Sequence, residues 1–268
     1  MTNNRLFTAG VSLLVGLFTA CSPLSNVMGG TKMKAERFFE PEMVQLLHSI
    51  QKNDMSTANQ LIAQGVDLNV LGNEGITPLL WFITQTNDLK ATQRAIELGA
   101  DPNFTDGDGD GPVNFVVRNF KPEWLKMLLD AGGDPNSIDS DGMPALFDAI
   151  GGENWHNINT LLEYGADVNL KDKSGFNSAL HAAILHKYEL VSFFIEKDVD
   201  VRVYMSGGAD LAWLVHDALS DEIITPDNPN YPWVMKIKQY LIEQGVQFPP
   251  PSPKEVRAMW DKHGKPSQ

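Results

Sequence analysis

Three aspartates at alternate positions form the stretch of this sequence with the clearest capacity for chemistry. Asp106, Asp108 and Asp110 lie in TDGDGDGP, and Gly111 follows them. Carboxylates at positions 1, 3 and 5 with a glycine at position 6 begin a calcium-binding loop. Position 12 of such a loop is a glutamate that binds the ion with both oxygens, but here it is Val117. The spacing therefore leaves at most a weak, adventitious calcium site.

The other reactive side chains are scattered along the chain and form no catalytic pattern. The six histidines include no HExxH motif, and His181 and His186 do not have the i, i+4 spacing of a zinc-binding helical pair. The sequence has no GxSxG motif for a nucleophilic serine, and its GxGxG glycines follow no apolar strand. We therefore expect no enzymatic activity, no cofactor and no metal site.

A short phrase recurs along the chain at nearly constant intervals. GVDLN begins at Gly65, GADPN at Gly99, GGDPN at Gly132 and GADVN at Gly165, and a degenerate copy, DVDVR, begins at Asp198. The first interval is one residue longer than the other three, which are equal. An apolar run with helical spacing precedes each phrase, which indicates a repeat built from helices.

A second signal follows each phrase and marks the start of another helix, as in GITPLL from Gly75. Gly75 permits a tight turn, Thr77 can cap the exposed N–H groups, and Pro78 suits a first helical turn. The period and this helix start resemble the ankyrin repeat over residues 40–250. The resemblance implies an all-α solenoid of about six helix–turn–helix repeats with hairpin fingers between them. Residues 251–268 are expected to form a C-terminal capping tail.

The repeat gives the acidic stretch a second interpretation. Residues 110–113 occupy the helix-start slots of the third repeat, so the aspartates lie in the finger between repeats two and three. Glycine and aspartate favour such turns. In the fifth repeat we expect one extra residue in GFNSAL. That insertion places His181 in a structural histidine slot of the family and Ala182 in the variable slot after it.

The N-terminus predicts an export signal. Arg5 precedes an apolar run over residues 6–20, which is shorter than the roughly 20 residues of a membrane-spanning helix. The run ends in LFTAC, which resembles the bacterial lipobox and implies removal of residues 1–20 and lipidation of Cys21. An uncleaved anchor and a cleaved secretory signal with an incidental cysteine are the alternatives.

The residues after Cys21 refine this prediction of location. Ser22 follows the cysteine, and by resemblance to lipoproteins it implies placement in the outer membrane with the domain facing the periplasm. Residues 21–39 are expected to be a lipidated tether to the repeat domain.

The charge of the chain limits its partners. It has 34 acidic and 21 basic residues among 268, a net charge of −13. Binding to nucleic acid needs a basic surface, so we expect no nucleic-acid partner. An acidic surface favours a protein partner with basic regions.

By resemblance to the family, partner contacts lie on the inner helices and the fingers. Trp81 and Phe115 are large aromatics in the variable slot of the inner helix, which favours interface anchors, unless the helices pack so as to bury them. The predicted inner-helix contacts are Trp81, Phe115, Arg118, Asn119, Asp148 and Ala182. The predicted finger contacts are Asn73, Glu74, Asp106, Asp108, Asp139, Asp141, Lys171, Asp172 and Lys173.

These observations favour a membrane-anchored protein-binding module. In architecture the chain resembles the lipid-anchored immunity proteins that bacteria pair with toxins delivered to the periplasm, such as type VI secretion phospholipases. The alternative is a scaffold or chaperone-like partner of an envelope enzyme that protects against oxidative stress, as some periplasmic ankyrin proteins assist catalase. The residues themselves identify neither the toxin nor the enzyme.

Overall fold

The computed structural model describes residues 33–119 and 121–265, and these residues form a stack of helix pairs. They contain thirteen α-helices and no β-strand. In chain order the helices are α1 (Pro41–Gln51), α2 (Met55–Ala63), α3 (Pro78–Trp81), α4 (Leu89–Glu97), α5 (Pro112–Arg118), α6 (Pro122–Asp130), α7 (Ala145–Gly151), α8 (Trp155–Glu163), α9 (Ser178–Ile184), α10 (Tyr188–Ile195), α11 (Leu211–Ser220), α12 (Tyr231–Glu243) and α13 (Pro253–His263).

The first twelve helices form six repeats, each an inner helix followed by an outer helix. The inner helices α5, α7, α9 and α11 pack side by side in that order, and outer helices pack on one another beside them. Each repeat therefore buries its apolar residues against its neighbours in one continuous core. The predicted all-α ankyrin-type solenoid is confirmed.

Short polar residues begin three of the inner helices, and before α11 it is Asp210, whose side chain accepts a hydrogen bond from the Trp213 N–H at 2.8 Å. The Thr77 hydroxyl accepts a hydrogen bond from the Leu80 N–H, as the sequence predicts, and the Asn177 side chain accepts one from the Leu180 N–H. These bonds satisfy N–H groups that have no partner within the helix. Asn177 therefore takes the role in repeat five that Thr77 takes in repeat two.

The expected extra residue in repeat five is absent. The caps Gly111, Pro144 and Asn177, which precede α5, α7 and α9, are evenly spaced along the chain. With no insertion, the variable slot of this repeat holds His181. Ala182 is fully buried, so its predicted role in partner contact is wrong.

The extra residue lies in repeat two. The caps of its inner and outer helices, Thr77 and Asp88, are one residue farther apart than the corresponding caps of repeats three, four and five. A π-helical turn over Phe82–Thr86 accommodates this residue, and the Asn87 N–H closes it by donating to the Phe82 carbonyl at 3.0 Å. The longer first interval between the recurring phrases is the sequence signal of this insertion.

The asparagine of each GxDxN phrase links one repeat to the next. The Asn69 side chain donates to the Gly99 carbonyl at 2.9 Å and accepts from the Asp101 N–H at 2.7 Å. The same pair of bonds recurs at Asn103 and Asn136. In DVDVR, Arg202 replaces the asparagine, and its guanidinium donates to the Gln244 carbonyl at 3.0 Å.

The chain before α1 is folded against the first hairpin finger, residues 72–76. Residues Ala35–Arg37 form a 3-10 turn, and Phe38 and Phe39 are buried. The Asn73 N–H donates to the Phe38 carbonyl at 2.7 Å, and Arg37 forms an ion pair with Glu74 at 2.6 Å. Two buried phenylalanines stabilise this packing, so the prediction of a tether is wrong for residues 33–39.

The remaining N-terminal predictions concern residues outside the described part of the chain. The signal over residues 1–20, the lipidation of Cys21 and the tether over residues 21–32 all lie there. Within the described residues, no helix has both the length and the apolar character that crossing a membrane requires.

Helix α13 follows the sixth repeat. Ser252 and Glu255 form reciprocal hydrogen bonds at its start. Val256 is buried, Trp260 packs edge-to-face on Tyr204 with ring centroids 5.8 Å apart, and Met259 is exposed. The helix contacts the last hairpin finger, residues 205–209, where Gly208 lies close to Val256.

Candidate functional site: a shared arginine on the inner helices

Five hairpin fingers lie between successive helix pairs and share one closure. We name them finger 1 (72–76), finger 2 (106–110), finger 3 (139–143), finger 4 (172–176) and finger 5 (205–209). In each, the N–H of the first residue donates to the carbonyl of the fifth at 2.8–3.0 Å. A glycine with positive φ stands at the fourth position of every finger, where a left-handed backbone is required.

An aspartate holds the turn of fingers 2, 3 and 4. In finger 2, one oxygen (Oδ1) of Asp106 accepts from the N–H groups of Asp108, Gly109 and Asp110, each at 2.9 Å. Asp139 and Asp172 each accept two backbone N–H groups of their own fingers in the same way. The first aspartate of the calcium-like stretch therefore stabilises a turn.

Two of the predicted finger contacts are consequently unavailable as surface charges. Asp106 and Asp139 are each only 6% exposed, so the prediction that they lie on an exposed rim is wrong. Asp108 and Asp141 are exposed as predicted, and Lys171 and Asp172 are half-buried. Across the described residues, no group of three or more histidine, cysteine or acidic side chains is placed to hold a metal.

Finger 1 and finger 4 are engaged by other parts of the chain. Asn73 and Glu74 are exposed but bond to Phe38 and Arg37 of the N-terminal segment. Lys173 is exposed, and its ammonium donates to the Ser140 carbonyl of finger 3 at 3.3 Å. These predicted contact residues therefore link segments of the array.

Arg118 connects three aspartates at the end of helix α5. Its Nη2 donates to Asp139 at 2.6 Å, its Nε lies 3.3 Å from Asp148, and its Nη1 lies 4.0 Å from Asp110. We call these four residues the Arg118 cluster. The structure thus brings together the predicted contacts Arg118, Asp139 and Asp148, and it adds Asp110, which the sequence did not single out as a contact.

The cluster combines an accessible cation with carboxylates that are largely shielded. The Arg118 side chain is 43% exposed, whereas those of Asp139 and Asp148 are 2% and 12% exposed. Burial raises the pKa of Asp148 to about 6, although the nearby Arg118 guanidinium lowers it. Burial disfavours the charged form of Arg118, but the three aspartates outweigh it and raise the arginine pKa.

The two aromatic residues of the variable slot have different environments. Trp81 is 4% exposed and packs edge-to-face on Phe82, so its predicted role as an exposed interface anchor is wrong. Met33 and Trp81 line the same opening on the inner face. Phe115 is half-buried, and Asn119 beside it donates to the Phe115 carbonyl at 2.7 Å. Phe115 therefore remains a candidate contact beside the Arg118 cluster.

His181 occupies the variable slot of repeat five and stacks on Phe147. Their ring centroids are 4.2 Å apart and their planes are 18° apart. Burial lowers the pKa of His181 to about 4, opposed by a hydrogen bond with the Phe147 backbone. The ring is therefore neutral in the folded protein at neutral pH.

Replacing His181 with phenylalanine is expected to reduce the loss in the free energy of unfolding between pH 8 and pH 5. The unfolded chain takes up a proton below pH 6.5, whereas folded His181 does not until about pH 4. The contribution of His181 to the free energy of unfolding is therefore fully present above pH 6.5. By pH 5 it has fallen by about 2 kcal/mol. Urea unfolding at pH 8 and pH 5 should show that loss in the wild type beyond any loss in H181F. Equal losses in both proteins would contradict the assignment, and exposed His263→Gln is the control.

Comparison with known proteins gives the same architecture. The family model for ankyrin repeats matches residues 80–172 and 113–205. A crystal structure of an ankyrin repeat protein is similar with a TM-score of 0.55 and 21% identity, over 76% of this chain and 98% of that one. No curated protein matches the chain.

Because the identity is low, the similarity to that structure shows only a shared fold. The match to the family model identifies the repeats in the sequence. The ankyrin-repeat fold is typically a protein-interaction scaffold, and the comparisons indicate no enzyme family. Residues 80–205 therefore match ankyrin repeats, and the described residues have the ankyrin-repeat fold.

Proposed function

We propose that this protein is a periplasm-facing immunity protein that binds and neutralises an antibacterial toxin, such as a type VI secretion phospholipase. The ankyrin repeats indicate a protein-binding module. The observation that carries the proposal is the Arg118 cluster, in which one accessible guanidinium is shared by three aspartates on the inner-helix side. Arginine and aromatic residues contribute strongly to binding at protein interfaces, and half-buried Phe115 is close by in sequence.

The geometry of the cluster suits recognition of a charged protein surface. Asp139 and Asp148 hold the guanidinium, so little conformational entropy is lost when a partner binds it. Although Asp139 and Asp148 are shielded, the cluster has three carboxylates and one guanidinium, and this excess of negative charge favours a partner with basic groups nearby. Its charges therefore contribute to specificity as well as to affinity.

The N-terminal sequence supports a location at the envelope. The lipobox-like LFTAC over residues 17–21 would attach the chain to a membrane, and Ser22 favours the outer membrane. An anchored binder is concentrated where an incoming toxin arrives, which raises the fraction of toxin bound. A second role, as a scaffold for an envelope enzyme, has no separate structural observation in its favour.

A protection assay tests the proposal. A toxin encoded beside this gene would be exported to the periplasm of cells that also produce the wild-type protein or a variant. We expect survival with the wild type and loss of protection with Phe115→Ala, while Lys126→Ala, on an outer helix, protects normally. Absence of both toxin binding and protection would remove the immunity role. Recovery of an oxidative-stress enzyme as the stoichiometric partner would replace it with the scaffold role.

A further inference from the structure

A glycine interrupts the row of side chains along the inner helices. At the same count from their caps, helices α5, α7 and α9 carry Arg118, Gly151 and Ile184. These three helices pack side by side in that order, so Gly151 lies in the row between two long side chains. The inner face therefore has a gap at Gly151.

Nothing in the described part of the chain requires a glycine at this place. Gly151 is exposed at the end of α7, and its φ does not lie in the left-handed region that favours glycine. A Cβ added there would meet no atom within 4 Å. Glycine is also less favourable in a helix than any residue except proline. The gap is therefore open space that a longer side chain could fill without harm to the fold.

Arg118 presents a donor group without a partner at the edge of this gap. Its Nε and Nη2 donate to Asp148 and Asp139, whereas its Nη1 donates to no described residue and lies 4.0 Å from Asp110. The side chain is 43% exposed, so the guanidinium is open to a partner. Asp148, which holds the guanidinium, lies one turn before Gly151 on the same face of α7. The donor and the gap are therefore neighbours.

The charges around Arg118 favour a neutral acceptor for this donor. The guanidinium is surrounded by the carboxylates of Asp110, Asp139 and Asp148. They would repel a further carboxylate or a phosphate, whereas a main-chain carbonyl accepts a hydrogen bond without adding charge. A main chain can also approach a glycine closely, because no side chain intervenes. Both features suit the backbone of a partner protein.

An apolar surface borders the other side of the gap. Ile184 is half-buried, and Leu185 is 40% exposed at the end of α9. Packed helices lie roughly 8–10 Å apart, so two such steps separate Arg118 from Ile184 by about 16–20 Å. An extended chain rises about 3.3 Å per residue, so about five or six residues cover that distance.

We propose that an extended segment of a partner protein crosses the inner face at Gly151. One of its main-chain carbonyls accepts a hydrogen bond from Nη1 of Arg118, and an apolar side chain of the segment packs on Leu185. The inference rests on the proposed function and deepens it, because it names what the array recognises in its partner: the backbone of an extended, apolar segment with no acidic residue at this place.

Filling the gap tests the inference. The full chain in detergent would be titrated calorimetrically with the toxin encoded beside its gene. Gly151→Leu should fold with a melting temperature no lower than that of the wild type, because leucine favours a helix and its Cβ would meet no atom. We expect this variant to bind the toxin at least about tenfold more weakly, because the leucine occupies the place of the segment.

Asn159→Leu is the matched control, because it adds the same side chain at an exposed position of the outer helix α8 in the same repeat. We expect it to bind the toxin as the wild type does. A crystal structure of the wild-type complex should place a main-chain carbonyl of the toxin within hydrogen-bond distance of Nη1 of Arg118.

Two results would overturn the inference while the immunity role survives. They are undiminished toxin binding by Gly151→Leu and a toxin carboxylate in place of the main-chain carbonyl at Arg118. A wild-type protein that neither binds the toxin nor protects cells would instead remove the proposed function, and the inference with it.

Discussion

Replacing Phe38 with alanine is expected to lower the free energy of unfolding by about 3 kcal/mol. The ring is 3% exposed and belongs to the segment that covers the first finger and the start of the stack. Removing it leaves a cavity beside Phe39, whose ring is 6.3 Å away, centroid to centroid. Urea unfolding followed by circular dichroism should show a lower midpoint with an unchanged slope.

Leu71→Ala is the matched control for this result. Leu71 adjoins the same finger but is 53% exposed, so we expect a change within about 0.5 kcal/mol. If Phe38→Ala were as stable as this control, residues 33–39 would contribute nothing to the folded array. The tether predicted from sequence would then extend to residue 39 after all.

Replacing Arg118 with alanine is expected to cost about 2 kcal/mol at pH 7. Loss of one partner of a buried ion pair costs roughly 3–5 kcal/mol, but this guanidinium is partly screened by water at 43% exposure. Asp139 and Asp148 would remain shielded without a cation, and protonation of Asp148, whose pKa burial already raises, would become more favourable. The cost should therefore shrink as the pH falls from 7 to 5, which unfolding curves at both values can measure.

Lys126→Ala provides the comparison, because Lys126 and Asp130 form an ion pair whose side chains are 62% and 53% exposed. Exposed pairs of this kind contribute little, so we expect no measurable change in stability at either pH. A pH-independent cost for Arg118→Ala would contradict the carboxylate explanation and would indicate lost packing of the arginine stem.

The sequence was sufficient to predict the array because its signals are local and periodic. Thr77 lies where a helix cap is needed. The asparagine at position 69 recurs in later copies of the same phrase at nearly fixed spacing, so each copy independently supports the repeat prediction. The role of Asn69 as a link between repeats depends on the carbonyl of Gly99 in the next repeat. A periodic pattern indicates that such a residue matters but does not reveal its partner.

The candidate site was predictable only in part, because exposure depends on neighbours distant in sequence. Trp81 occupies a repeat position whose side chain was expected to face outward, yet it is buried and packs on Phe82. From the sequence, Asp106 and Asp139 were expected to be surface charges. In the structure, one carboxyl oxygen of each accepts backbone N–H groups of its own finger. Arg118 and Asp148 were both predicted as partner contacts. Their ion pair could not be predicted, because it depends on how two successive repeats pack.

The widened turn at Phe82–Thr86 shows how this chain tolerates a change in length. The surplus residue is absorbed within one helix, and the following units resume their spacing at once. An insertion in one unit therefore need not disturb the phase of the rest. A single unit can therefore hold an additional residue while the overall scaffold keeps its register.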